Sequence, residues 1–208
     1  MIVWVLPWLL AIPAWWGLFR SLRRGNRRLA LLVAAVWATA LGAGLPLLEW
    51  NFPGICGELF PGATRYREAM LSWVRTGAGC EATPACFIPQ HLAHLAIFAI
   101  ASFATAGLAG LAFGVLLFGW MGAYTGGLAE LSGSPQWLAV GWHPWAALRV
   151  AGFLFLGVAL AEPLARWGLP PLPGRNRLFL RGLMLVAADL ALKWLLAEWW
   201  RTSVLPSQ

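Results

Sequence analysis

Residues 89–128, PQHLAHLAIFAIASFATAGLAGLAFGVLLFGWMGAYTGGL, decide the fold and contain no Asp, Glu, Lys or Arg. A straight helix of this length would be about 60 Å long, roughly twice the hydrocarbon thickness of a bilayer. The glycines between 107 and 110 offer a place for the chain to turn. We therefore predict two spans here, residues 88–106 and 109–128, joined as a tight helical hairpin.

The composition of the whole chain agrees with this prediction. Of 208 residues, 60% are hydrophobic and 11% are charged, whereas charged residues make up about a quarter of an ordinary soluble domain. Disordered chains, disulfide-dense secreted modules and coiled coils are excluded on the same grounds. The sequence predicts an integral membrane protein.

Four further apolar stretches complete an all-α, polytopic transmembrane helical bundle of about six spans in one domain, residues 1–208. The additional spans are predicted at residues 2–19, 29–48, 144–164 and 183–200. The first is expected to be retained as a span, because a basic cluster follows it instead of preceding it. Residues 51–87 are predicted to form an external loop or small ectodomain, with a surface amphipathic helix over residues 64–74.

Basic residues are concentrated in two clusters that explain the net charge of +7. The clusters comprise Arg20, Arg23, Arg24, Arg27 and Arg28, and Arg166, Arg175, Arg177 and Arg181. Arginine beside a span is retained on the cytoplasmic side, so we predict a bacterial-type cytoplasmic (inner) membrane protein with both termini outside. The expected partners are the lipid bilayer and other membrane proteins, with no role for nucleic acid.

A row of small residues at intervals of four runs through the hairpin. Its members are Ser102, Ala106, Gly110 and Gly114, with Gly122 and Gly126 in the same phase. Small residues let helix backbones approach closely in lipid. Helix packing is the favoured interpretation, and a substrate path is the alternative.

Charged residues inside the predicted spans form a second set of candidates. Asp189 and Lys193 are four residues apart, on one helical face, and are predicted to form an intramembrane ion pair. A proton or solute relay is the functional alternative. Arg149 and Glu130 are predicted to form a second couple near the outer boundary, and Glu162 is predicted to lie at a cytoplasmic helix end.

The three histidines, His91, His94 and His143, all fall at the predicted outer ends of spans. Imidazoles from two helices could hold an outer-side metal or haem iron. No H-E-x-x-H or C-x-x-C-H motif accompanies them, so interfacial histidines are the favoured interpretation and the cofactor stays unknown.

The external segment contains all three cysteines. A turn-forming interval separates Cys80 from Cys86, which predicts a disulfide between them, although pairing of Cys56 with either remains open. A redox dithiol or a zinc site has weaker support from the spacing.

Catalytic motifs are missing from the sequence. It has no G-x-S-x-G, H-E-x-x-H, paired intramembrane aspartates or Walker A motif, so we lean toward a protein that is not an enzyme.

The second to sixth predicted spans resemble the stage II sporulation protein M family of bacterial membrane proteins. The resemblance consists of the external segment, the glycine-rich hairpin with LFGWMG at residues 117–122, the span ending at Glu162 and Pro163, and the arginine-rich stretch before a final helix. It implies a non-enzymatic scaffold or accessory subunit for other membrane or envelope proteins.

Two other functions remain open. A small-solute transporter or transporter subunit would explain the glycine-rich hairpin and the Asp189/Lys193 pair. A haem-, metal- or pigment-associated subunit of a respiratory or photosynthetic complex would explain the histidines.

Overall fold

A computed structural model describes residues 2–204 of the chain, with the backbone alone for Ile2 and Val204. Residues 1 and 205–208 of the predicted single domain, and with them both chain ends, lie outside the described residues. The described part is all-α. Its helices are α1 (Ile2–Arg23), α2 (Arg27–Asn51), α3 (Ile55–Leu59), α4 (Ala63–Thr76), a 3₁₀ turn (Cys80–Ala82), α5 (Pro84–Ala104), α6 (Leu108–Ser132), α7 (Trp137–Val140), α8 (Pro144–Ala165) and α9 (Arg175–Val204).

Five of these helices, α1, α2, α5, α6 and α8, are long and apolar enough to cross a membrane. Large apolar side chains stand exposed on them, such as Val36 at 61% and Ile100 at 70%, as expected for a surface in contact with lipid. The chain is therefore a membrane-embedded helical bundle. The predicted sixth span lies in α9, whose 30 residues include Asp189 and Lys193 and which is not among these five.

The hairpin predicted from residues 89–128 is confirmed, with its turn slightly earlier than expected. α5 ends at Ala104, and Ala106 and Gly107 adopt left-handed backbone conformations with φ of 50° and 95°. The Oγ1 of Thr105 donates to the carbonyl oxygen of Ala101 and accepts from the N–H of Ala109, at 2.7 and 2.8 Å. One threonine thus stabilises both sides of the turn.

The two arginine clusters meet at one end of the bundle, here called the arginine end (residues 20–28 and 162–181). Nη1 of Arg166 donates to the carbonyl oxygen of Leu22 at 2.7 Å. Arg27 binds Glu162 and also donates to the carbonyl oxygen of Leu172 at 2.8 Å. Glu162 lies in the last turn of α8, which ends at Ala165, so its position near a helix end is as predicted. Its side chain is 2% exposed and ion-paired.

Residues 51–87 were predicted as an external loop or small ectodomain. Between the end of α2 at Asn51 and the start of α5 at Pro84, this segment forms α3, α4 and the 3₁₀ turn. We call this side, which contains α3, α4, the 3₁₀ turn and α7, the capped end. The predicted surface helix at residues 64–74 is α4, but it buries Met70, Trp73 and Val74 in the protein and packs on α6. The amphipathic pattern was correct, and the apolar face is covered by protein.

Helix α6 is the central helix because its glycines admit neighbouring backbones. A Cβ atom on Gly126 would lie 2.5 Å from Cβ of Glu49 in α2, and one on Gly122 would lie 2.8 Å from Cβ of Leu45. A Cβ on Gly110 would lie 1.9 Å from Oγ of Ser102 across the hairpin, whereas Gly114 has 3.4 Å to Trp37. The turn beside Ala106 interrupts the predicted row of small residues. Ser102 therefore lies on α5, whereas the glycines of the row lie on α6.

Gly126→Ala is expected to reduce the free energy of unfolding by about 1–3 kcal/mol, since a methyl group there overlaps Glu49 and overpacks the α2–α6 contact. Gly44→Ala in α2 is the matched control, because no atom lies within 4 Å of its added Cβ. It should be neutral or stabilise by up to about 1 kcal/mol. Thermal unfolding in detergent measures both, and equal effects would contradict this packing.

Candidate functional site

An elongated cavity lies among α1, α2, α5, α6, α8 and α9. Its volume is about 110 Å³, far more than the roughly 10–15 Å³ that a single water occupies on this measure. The lining is apolar toward Leu18 and Gly107 near the arginine end, and polar toward Glu81 and Gln90 near the capped end. The cavity therefore has one apolar end and one charged end.

Asp189 and Arg149 form an ion pair at the charged end. Nε and Nη2 of Arg149 donate to the two carboxylate oxygens of Asp189 at 2.8 and 3.0 Å. Asp189 is fully buried, while the Arg149 side chain is 25% exposed and lines the cavity. The predicted Asp189–Lys193 pair is wrong in its partner, because α8 brings a bidentate guanidinium to the same face of α9.

Lys193 binds Glu81 of the 3₁₀ turn instead. Its Nζ also lies 3.4 Å from Nε2 of His91 and 4.3 Å from the centre of the Phe87 ring. Lys193 is 1% exposed, so Glu81, His91 and Phe87 take the place of the water molecules that would otherwise solvate its ammonium group. The sequence of α9 does not indicate that Glu81 is the partner of Lys193. The only available signal was the position of Glu81 between the two cysteines of the predicted disulfide.

The structure divides the three histidines between two environments. His91 and His94 lie 6.3 Å apart between ring centres and both line the cavity, where His94 also contacts Trp120. His143 instead stacks between Tyr124 and Trp145, at 5.5 and 5.0 Å. Across residues 2–204, no group of three or more His, Cys, Asp or Glu side chains is placed to hold a metal ion.

His143 gives the protein an expected acid sensitivity. Burial, with a smaller contribution from the charges of Lys193 and Arg149, holds the pKa of His143 well below its ordinary value of 6.5. Below pH 6.5 the unfolded chain therefore binds a proton that the folded protein does not. Stability should fall by about 1.4 kcal/mol per pH unit from this residue.

His143→Phe should remove this contribution, so that its stability declines less steeply between pH 6.5 and 5 than that of the unaltered protein. Thermal unfolding across this range measures the slope of each protein. The two slopes would be equal if His143 became protonated in the folded state.

The predicted Cys80–Cys86 disulfide is formed, and it closes the segment that carries Glu81. Cys56 is a buried free cysteine. Burial, followed by the negative charge of Glu49, raises the pKa of the Cys56 thiol to about 12. The pairing alternatives that included Cys56 are thereby removed.

Another buried carboxylate, that of Glu49, lies away from the cavity lining and connects segments of the fold. Glu49 accepts hydrogen bonds from the N–H groups of Gly54 and Cys56 at 2.9 and 2.8 Å, and from Arg67 at 3.0 Å. Arg67 also binds Glu130 at 2.7 Å, which corrects the predicted Arg149–Glu130 couple.

The charged end of the cavity thus combines two ion pairs, two histidines and an aromatic wall with an apolar extension. Comparisons with protein-family models, curated proteins and solved structures gave no match.

Proposed function

We propose that this membrane protein is a small-solute transporter or transporter subunit, and that its solute binds at the charged end of the cavity. The observation that carries this proposal is the Arg149–Asp189 pair lining an internal cavity among membrane-capable helices. Ionisable groups at membrane depth are costly and mark substrate or ion pathways. Solute sites of transporters lie inside the helix bundle in this way.

Helix α9 is part of this proposal as the sixth span. Its inward-facing Asp189 and Lys193 are buried, while Met184, Trp194 and Leu195 are about 70% exposed. An apolar outer face with charges directed inward is the arrangement expected of a span that borders a polar site.

A scaffold or accessory subunit needs an outer surface for its partners but has no need of charges around an internal cavity. Burying such charges is costly unless each is paired. The cavity therefore favours a solute-binding role, and the scaffold role inferred from the family resemblance stays a prediction. A stable partner recovered in mild detergent, without any solute effect, would support the scaffold.

Solute-dependent stabilisation of the purified protein tests the transporter proposal. A solute that binds the folded protein at 100 times its Kd should stabilise it by about 2.7 kcal/mol. The comparison protein is the double variant Arg149→Met/Asp189→Leu, which removes both charges without leaving one unpaired. Solutes that stabilise only the unaltered protein should then show uptake into proteoliposomes, and a screen without such solutes would contradict the proposal.

The proposed orientation places the arginine end in the cytoplasm and the capped end outside. Thiol labelling in intact cells tests it, because Cys56 is buried and the other cysteines are bonded. Arg24→Cys and Asn176→Cys should react with an impermeant reagent only after the cells are opened, whereas Gln136→Cys should react at once. All three positions are exposed. The reverse pattern would invert the orientation.

A further inference from the structure

We infer that the cavity binds a single-chain amphiphile with an anionic head group, a carboxylate or phosphate monoester. Its head would lie at Arg149 and its apolar chain would extend along α6 toward Gly107. This inference rests on the proposed function, because it names the chemical class of solute for the same cavity.

The open donors of Arg149 select the head group. A guanidinium has five N–H donors, and Asp189 accepts from Nε and Nη2. In the described part of the chain, Nη1 has no hydrogen-bond partner, and the second N–H of Nη2 points along the same edge. This pair of parallel donors at the end of the side chain binds carboxylate or phosphate oxygens in a bidentate manner.

The other cation near the charged end has no comparable open edge. Lys193 is 1% exposed and is held by Glu81 and His91. Glu81 also lines the cavity, so an alkylammonium is the competing head group and must be compared directly. The exposed guanidinium edge favours the anion.

The remainder of the cavity selects the tail. Lining residues on α6 extend from Gly110 to Met121, with Gly107 just before the helix, so the cavity follows α6 for about 20 Å at 1.5 Å per residue. Polar groups along the length of a solute would lose their hydrogen bonds in this apolar section. A linear hydrocarbon chain loses none.

Ser102 is the polar exception in the apolar section. It is 1% exposed and lines the cavity, and its Oγ has no hydrogen-bond partner among the described residues. Buried hydroxyl groups normally have a partner. A hydrocarbon tail offers none, so a water molecule beside the tail would have to bond Ser102 Oγ.

Photolabelling of the full chain in lipid nanodiscs tests the inference. The probes are hexadecanoic acid with a mid-chain diazirine, the matched hexadecanol and the matched hexadecyltrimethylammonium. The acid should label the cavity residues Phe98 and Leu117 about tenfold more than the alcohol or the ammonium does, equivalent to about 1.4 kcal/mol. The lipid-facing Ile97 and Ile100 should be labelled equally by all three probes.

Two test variants and one control variant separate the head contacts from the tail contacts. Val150→Phe introduces a large side chain on the cavity lining and should reduce labelling of Phe98 and Leu117 about tenfold. Val36→Phe makes the same change at a position 61% exposed to lipid and should leave labelling unchanged. Arg149→Met/Asp189→Leu should retain cavity labelling but remove the preference for the acid.

Three outcomes would overturn the inference. They are labelling confined to lipid-facing residues, equal labelling of the cavity by all three probes, and stronger labelling of the cavity by the ammonium than by the acid. If short soluble solutes still stabilise the unaltered protein but not Arg149→Met/Asp189→Leu, the transporter proposal survives that result. Labelling of the cavity by the acid without uptake in proteoliposomes would instead retain the binding site and contradict transport.

Discussion

Asp189→Asn should lower the free energy of unfolding by about 3–5 kcal/mol, because it leaves the Arg149 guanidinium without its counterion inside the bundle. Arg149→Met/Asp189→Leu should recover most of this loss, since replacing both partners by apolar side chains leaves no unpaired charge. The free energy of unfolding of all variants is measured in detergent, with unfolding induced by heat or denaturant.

The control for Asp189 is the double variant Asp189→Asn/Lys193→Gln. The two residues share a helical face, but their observed partners are Arg149 and Glu81. This variant leaves both partners unpaired, so it should be at least as unstable as Asp189→Asn. Recovery in this variant, with none in Arg149→Met/Asp189→Leu, would contradict the observed pairing and restore the intrahelical pair.

Glu49→Gln should also cost about 3–5 kcal/mol, through a different part of the fold. The Glu49 carboxylate is 1% exposed and accepts from two backbone N–H groups and from Arg67, which joins α2 to α3 and α4. Glutamine removes the negative charge and directs an NH₂ group toward donors that need an acceptor. The capped end should open at a lower temperature than in the unaltered protein.

Glu130→Gln is the matched control for Glu49→Gln. Glu130 binds the same arginine, but its side chain is 43% exposed, so its loss should cost no more than about 1 kcal/mol. Thermal unfolding compares the two variants directly. Similar losses would show that the shared contact with Arg67, and not the burial of Glu49, determines the effect.

The four buried or nearly buried carboxylates therefore have separable roles. Glu49 and Glu162 connect segments at opposite ends of the bundle, whereas Glu81 and Asp189 line the cavity. Glu49→Gln should lower stability but leave the head-group preference of the labelling probes unchanged. Arg149→Met/Asp189→Leu should instead remove the head-group preference and leave most of the stability. This contrast distinguishes loss of the fold from loss of the solute site.

Several features were determined by the sequence alone because they depend on local constraints. Residues 89–128 are too long for one span, so they had to turn, and Gly107 accommodates a left-handed backbone there at low cost. Cys80 and Cys86 are separated by a turn, which is sufficient to bring them together. The length of an apolar helix and the chemistry of a turn are properties of neighbouring residues.

The tertiary structure decided which charges pair and what they enclose. Asp189 is four residues from Lys193, yet it pairs with Arg149, 40 residues away, because α8 packs along α9 and its guanidinium fits both carboxylate oxygens. Glu81 meets Lys193 across 112 residues for the same kind of reason. Helical periodicity shows which face a charge occupies, but only the packing of helices determines what lies opposite, and the cavity exists only between packed helices.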